Sequence, residues 1–149
     1  MLNEDYKDIL QVFLAEGVEF LVVGAYALAA HGLPRATGDI DLWVRPEVGN
    51  AGKVLRALAA FGAPVKDLTP ADFSVPDVIF QIGVVPRRVD IITSIDGVTF
   101  DEAFPARLDL DLEGIRIPVL SRAHLLQNKE ATGRAKDRLD LEALLRKKR

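Results

Sequence analysis

No cysteine occurs in the 149 residues, which excludes thiolate nucleophiles, disulfides and cysteine-bound zinc together. Only two histidines are present, too few for a histidine-rich metal site, so any metal must be held mainly by oxygen. No apolar run reaches the length that spans a bilayer. The start, MLNEDYKDIL, is acidic and interrupted, unlike a signal peptide or an arginine-rich transit peptide, so a cytoplasmic chain without a membrane partner is expected. Aromatics make up only 7%, which leaves aliphatic side chains to build the core. An excess of positive charge is lacking too: the net charge is -3, which argues against generic nucleic-acid binding. Repeats, low-complexity segments and long linkers are absent, so a single domain over residues 1–149 is expected.

What is there is a globular composition, 49% hydrophobic and 28% charged. The charge is uneven. Residues 134–149 hold seven basic and three acidic side chains, which reads as a solvated helix end complementing its own dipole before it reads as an RNA-docking patch.

Helix and strand signals alternate along the chain. Asn3 can cap a helix whose Tyr6, Ile9, Leu10 and Phe13 form one apolar stripe, with Gly17 placed to stop it. Phe20–Val23 reads as a buried strand, ended by Gly24, and residues 25–30 as a short helix stopping at His31-Gly32. A second strand covers about 39–44. After Pro46 a helix carries Val54, Leu58 and Phe61 on one face and ends at Gly62, and a proline-bearing connection follows up to Pro76. Residues 78–82 and 89–93 suggest a hairpin around Val85-Pro86, and Leu108–Leu112 with Ile115–Val119 a second one around Glu113-Gly114. Ser121 can cap a further helix, with Leu120 and Leu125 as a hydrophobic staple, and Gly133 separates it from a last helix through Leu145. The pattern predicts an α/β (α+β) chain, a mixed sheet flanked by helices.

Within this pattern Asp39 and Asp41 share one face of a strand, because side chains alternate along it. Ile40 and Leu42 then point into the core and hold the acidic pair rigidly. Two carboxylates this close stay ionised together most easily with a cation between them, and magnesium suits oxygen ligands shared with phosphates. A solvated pair at a strand end is the competing reading. Directly upstream, Gly24 turns a buried strand into a helix whose first amides are free, an arrangement that attracts phosphate. A tight turn needs glycine for steric reasons as well, so the combination carries more than either part.

Val23-Gly24-Ala25, thirteen intervening residues and Asp39-Ile40-Asp41-Leu42 together resemble the signature of the nucleotidyltransferase-fold superfamily. The wider string FLVVGAYALAAHGLPRATGDIDLWV is similar to the bacterial branch that includes AbiEii-like, toxin–antitoxin related minimal nucleotidyltransferases. The likeness continues in RRVDIITSIDGVTFDEAF and LLQNKEATGRAKDRLDLEALL, leaving only about residues 48–77 undistinguished.

The resemblance implies a polymerase-beta-like fold and a transferase that needs magnesium (Mg2+) or manganese. It makes Asp39 and Asp41 the metal ligands, and Asp90 the third carboxylate, a metal ligand or the base toward an acceptor hydroxyl. A salt bridge from Asp90 to Arg87 or Arg88 is the competing role. Gly24 and Ala25 match the turn that holds the nucleoside triphosphate, although alanine stands where serine or glycine is usual, so no hydroxyl reaches the phosphates. Lys129 matches a lysine that reaches the triphosphate, against the alternative of a solvated helix lysine. Arg35 and Thr37 could touch phosphate or shape the loop into the acidic strand. Arg134, Lys136 and Asp137 read as fixing the junction of the final helices, His31 as a helix-end cation, and Trp43 as packing rather than base stacking.

The expected reaction moves a nucleoside monophosphate from a nucleoside triphosphate to a hydroxyl of an RNA (tRNA-like) or protein acceptor, releasing pyrophosphate. Larger antibiotic-modifying relatives add a domain that this chain has no room for, which favours the macromolecular acceptor, and a homodimer could supply a missing wall. A cognate toxin or antitoxin is a further expected partner. The alternative, motivated by Ala25, is a catalytically weak or inactive module that serves as a protein-binding partner.

Overall fold

A computed structural model describes residues 2–34, 38–83 and 87–147. Arg35, Thr37 and the Val85-Pro86 turn lie outside the described residues. Strands β1 (Phe20–Val23), β2 (Ile40–Val44), β3 (Ile79–Ile82), β4 (Val89–Ile92), β5 (Leu108–Leu112) and β6 (Ile115–Val119) form one sheet in the order β3-β4-β2-β1-β6-β5. The pairs β2–β4 and β1–β6 are parallel and the other three antiparallel, so the sheet is mixed.

The central strands are apolar at nearly every position because both faces of the sheet are covered. Phe20 and Val22 of β1, Ile40, Leu42 and Val44 of β2, and Val89 and Ile91 of β4 face one core. Helices α1 (Glu4–Ala15) and α3 (Val48–Phe61) close it with Tyr6, Ile9, Leu10, Phe13, Val54 and Leu58. The alternate residues Leu21, Val23 and Trp43 face a second core with Phe100, Leu125 and Leu144. These last come from α4 (Phe100–Ala103), α5 (Arg122–Thr132) and α6 (Ala135–Arg146). The short helix α2 (Gly24–Ala30) supplies Ala27 to the first core and Leu28 to the second. Among the described residues no helix is long and apolar enough to cross a membrane.

Local chemistry sets the ends of these elements. Asn3 accepts from the Tyr6 amide at 2.9 Å and Ser121 from the His124 amide at 3.2 Å, the capping expected of both residues. Gly62 and Gly133 adopt left-handed backbone at the ends of α3 and α5, as predicted. The structure adds what the sequence pattern left blank. Thr99 and Glu102 form a capping box that starts α4, and Thr69 with Asp72 starts a 3-10 turn over Pro70–Phe73 inside the connection before β3. The second strand begins at Ile40, so Asp39 stands just ahead of it.

Candidate active site

The sheet order brings the predicted acids together. Val23, the last residue of β1, pairs with Asp41, and Asp41 pairs across the parallel β2–β4 ladder with Asp90. Asp39, two residues ahead of Asp41, projects on the same side. Gly24 follows Val23 directly, with φ +70°, and a Cβ built there would lie 2.1 Å from Asp41 Oδ2. Glycine is therefore required at this point on two counts, the left-handed backbone and the close approach of the carboxylate.

Asp39, Asp41, Asp90, Gly24 and Ala25 line one side of a cavity of about 360 Å³. The other side is Lys129 of α5 with Arg134, Lys136, Asp137 and Asp140 at the start of α6. Of the residues that the sequence placed in the site, Asp39, Asp41, Asp90, Gly24, Ala25 and Lys129 converge there. His31, read as a helix-end residue, is outside the cavity lining: its Nε2 donates to the Leu120 carbonyl at 2.8 Å, tying the end of α2 to the end of β6. Trp43 is buried against Phe100, with ring centroids 5.1 Å apart at 81°, which is packing as expected.

Two details differ from the sequence reading. The salt bridge set against a chemical role for Asp90 is present: Arg88 donates through Nε to Asp90 at 2.9 Å and through Nη2 to Asp39 at 2.8 Å. Lys129 is neither solvated nor free to face a ligand with its whole charge, since its ammonium lies 2.9 Å from Asp137 and 3.3 Å from Asp140. Both of those carboxylates are buried. Asp137 also accepts from Thr132 at 2.7 Å and from Arg134 at 2.7 Å. Burial alone would raise the Asp137 pKa, but these hydrogen bonds outweigh it and hold the carboxyl below its ordinary range. This cluster fixes the α5–α6 junction, the structural role read for Arg134 and Asp137. Asp140 was missed because nothing in its local sequence distinguishes it from an ordinary helix carboxylate.

The Asp41 carboxyl is pushed up to about 7 from its ordinary 3.8, with burial the largest cause. The adjacent Asp90, by charge and hydrogen bond, and Asp39 contribute to that rise, and Arg88 opposes it. A carboxyl so crowded takes up a proton unless a cation supplies the balancing charge. With oxygen donors throughout, these three acids suit a hard divalent cation by donor chemistry. Among the described residues no group of three such side chains is yet gathered as a metal site; Arg88 bonds two of the three acids instead.

No family model and no curated protein matches the chain. Solved structures do. A proposed nucleotidyltransferase of Thermotoga maritima superposes with a TM-score of 0.65 at 20% identity, over 97% of this chain and 95% of that one. The chain has the nucleotidyltransferase fold. A second structure with this fold, the aminoglycoside enzyme ANT(2″)-Ia in complex with adenylyl-2″-tobramycin, superposes with a TM-score of 0.52 at 13% identity, over 93% of this chain and 84% of that one.

Proposed function

We propose that the cavity carries out metal-dependent nucleotidyl transfer from a nucleoside triphosphate to an acceptor hydroxyl. The observation that carries this reading is the convergence of Asp39, Asp41 and Asp90 in one cavity, with Gly24 against Asp41. A divalent cation held by Asp39, Asp41 and Asp90 would supply positive charge that stabilises the charge developing on the phosphates in an in-line displacement. The chain's own residues do the rest. Gly24 lets backbone come close to the triphosphate without a side chain in the way. Asp90, on the strand beside Asp41, orients the acceptor hydroxyl and takes its proton. The acceptor oxygen bonds to the α-phosphorus, the bond to the β-phosphate oxygen breaks, and pyrophosphate leaves. Lys136 lines the cavity, and Lys129 and Arg134 stand beside it with much of their charge already directed to Asp137.

We favour an RNA or protein acceptor in a toxin–antitoxin setting, on the likeness of the motif strings. The test is incubation with each α-labelled nucleoside triphosphate and Mg2+, in parallel with cellular RNA, cellular protein and an aminoglycoside. Label should enter one arm in wild type and none in Asp39→Asn or Asp41→Asn. Label in no arm, or label indifferent to both substitutions, would sink the proposal.

A second reading rests on Ala25, whose methyl lines the cavity where a hydroxyl would help hold phosphate. On that reading the domain is a protein-binding partner without turnover. Calorimetry separates the two, because such a module binds neither metal nor triphosphate and keeps its partner when Asp39 is replaced by Asn.

A further inference from the structure

Arg88 is a basic side chain bonded to the acids at the centre of the cavity. It reaches Asp39 through Nη2 at 2.8 Å, and Asp90 through Nε at 2.9 Å and Nη2 at 3.2 Å. A planar guanidinium with a fixed fork of donors can bridge two carboxylates in this way, whereas a lysine ammonium cannot do so with the same geometry. Its single positive charge lies where three acids crowd together.

The backbone and side chain of Arg88 are held very differently. Its carbonyl accepts from the Tyr6 hydroxyl at 3.1 Å and from the Ile40 amide at 3.1 Å, which pins the chain at the entry to β4. Tyr6 is itself wholly buried, and burial pushes its phenol up to about 12, so this donor keeps its proton. The guanidinium end, by contrast, belongs to a side chain 28% exposed, paired with an Asp39 that is also 28% exposed. Arg88 can thus leave the carboxylates by side-chain rotation, without disturbing the strand.

Resting on the transfer reading above, we propose that Arg88 is a positioning residue that occupies the cation site. It keeps Asp39 and Asp90 in register while no metal is bound, and an arriving divalent cation displaces it. Both compete for the same carboxylate oxygens. The cation brings twice the charge, and the released guanidinium swings toward solvent, where a triphosphate tail offers it a new anionic partner. The apparent metal affinity is lowered by the fraction of molecules in which Arg88 is engaged.

Mn2+ alone, titrated by calorimetry into wild type, Arg88→Ala and Arg88→Lys, tests this, together with melting curves with and without Mn2+. If the paired arrangement is populated about nine times in ten, Arg88→Ala binds Mn2+ about tenfold more tightly than wild type. Without metal that variant melts below wild type, because Asp39 and Asp90 lose the guanidinium that bonds them both, and Mn2+ raises its melting temperature by more. Arg88→Lys, a point charge unable to bridge both acids, falls between the two and supplies the answer if the alanine variant does not fold. Affinities equal to or weaker than wild type in the folded variants overturn the inference and leave the transfer reading standing. No Mn2+ binding by any of the three proteins overturns the inference along with the metal part of that reading.

Discussion

Asp41 is the residue at which stability and the proposed activity pull in opposite directions. Its carboxyl titrates near 7 in the folded chain and near 3.8 when unperturbed, so between these values the folded state binds more protons than the unfolded one. Stability from this group is therefore fully present below about pH 4, falls as pH rises toward 7, and levels off above. Asp41→Asn removes the buried charge. Metal-free Asp41→Asn should melt about 2–5 °C above wild type at pH 8 and show a flatter profile between pH 4 and 7, while label transfer is lost. Melting in chelator across that range checks it, and a lower melting temperature at pH 8 counts against the assignment. Gly24→Ala should behave otherwise. It places a side chain on left-handed backbone and 2.1 Å from Asp41 Oδ2, at a cost of about 1–2 kcal/mol for the backbone alone, readable by urea unfolding.

At the scale of elements, α5 and α6 are joined by buried charge as well as by apolar packing. Lys129→Ala removes the ammonium that both Asp137 and Asp140 bond, while Arg134 and Thr132 still hold Asp137, which should cost about 1–3 kcal/mol in urea unfolding. Because the Asp137 carboxyl is held below its ordinary value, its contribution is present above that value and is lost as pH falls through the depressed one. Acid unfolding of wild type should begin below about pH 4, where the unfolded carboxyl starts to bind protons. On the opposite face, Asn50 of α3 accepts from the Glu19 amide at 2.8 Å and donates to the carbonyls of Glu19 at 3.0 Å and Arg45 at 3.1 Å. One buried side chain thus ties the start of β1 to the end of β2. Asn50→Ala should lower stability by about 2–3 kcal/mol while leaving Mn2+ affinity unchanged, since it lies at the end of β2 away from the acids. A changed Mn2+ affinity would show that this tie positions the site too.

The whole molecule is two cores on one sheet. Because β1 and β2 bury alternate residues in each, neither core can open while the other keeps its strands. Trp43, the single tryptophan, sits in the core covered by α4, α5 and α6, whereas far-UV circular dichroism reports all helices, including α1 and α3. Unfolding followed by tryptophan fluorescence and by dichroism should therefore give coincident transitions. Separated midpoints would mean that the two layers unfold independently.

Much of this was legible in the chain because it depends on neighbours in sequence. Asn3, Ser121, Gly62 and Gly133 bound their helices by local hydrogen bonding and backbone freedom. The alternation Ile40, Asp41, Leu42, Trp43 dictates that the acid faces away from the core that holds Ile40 and Leu42. The Thr99–Glu102 box was equally local and could have revealed α4. By contrast, the meeting of Asp41 with Asp90 is a parallel pairing between strands far apart in the chain, and no turn between them dictates its register. For the same reason only the tertiary structure decided that Arg88, whose bond to Asp90 two residues on was open in the sequence, also reaches Asp39, and that the charge of Lys129 goes first to Asp137 and Asp140. Side-chain direction follows from period and capping, but a charge is committed only when distant segments bring its partner within reach.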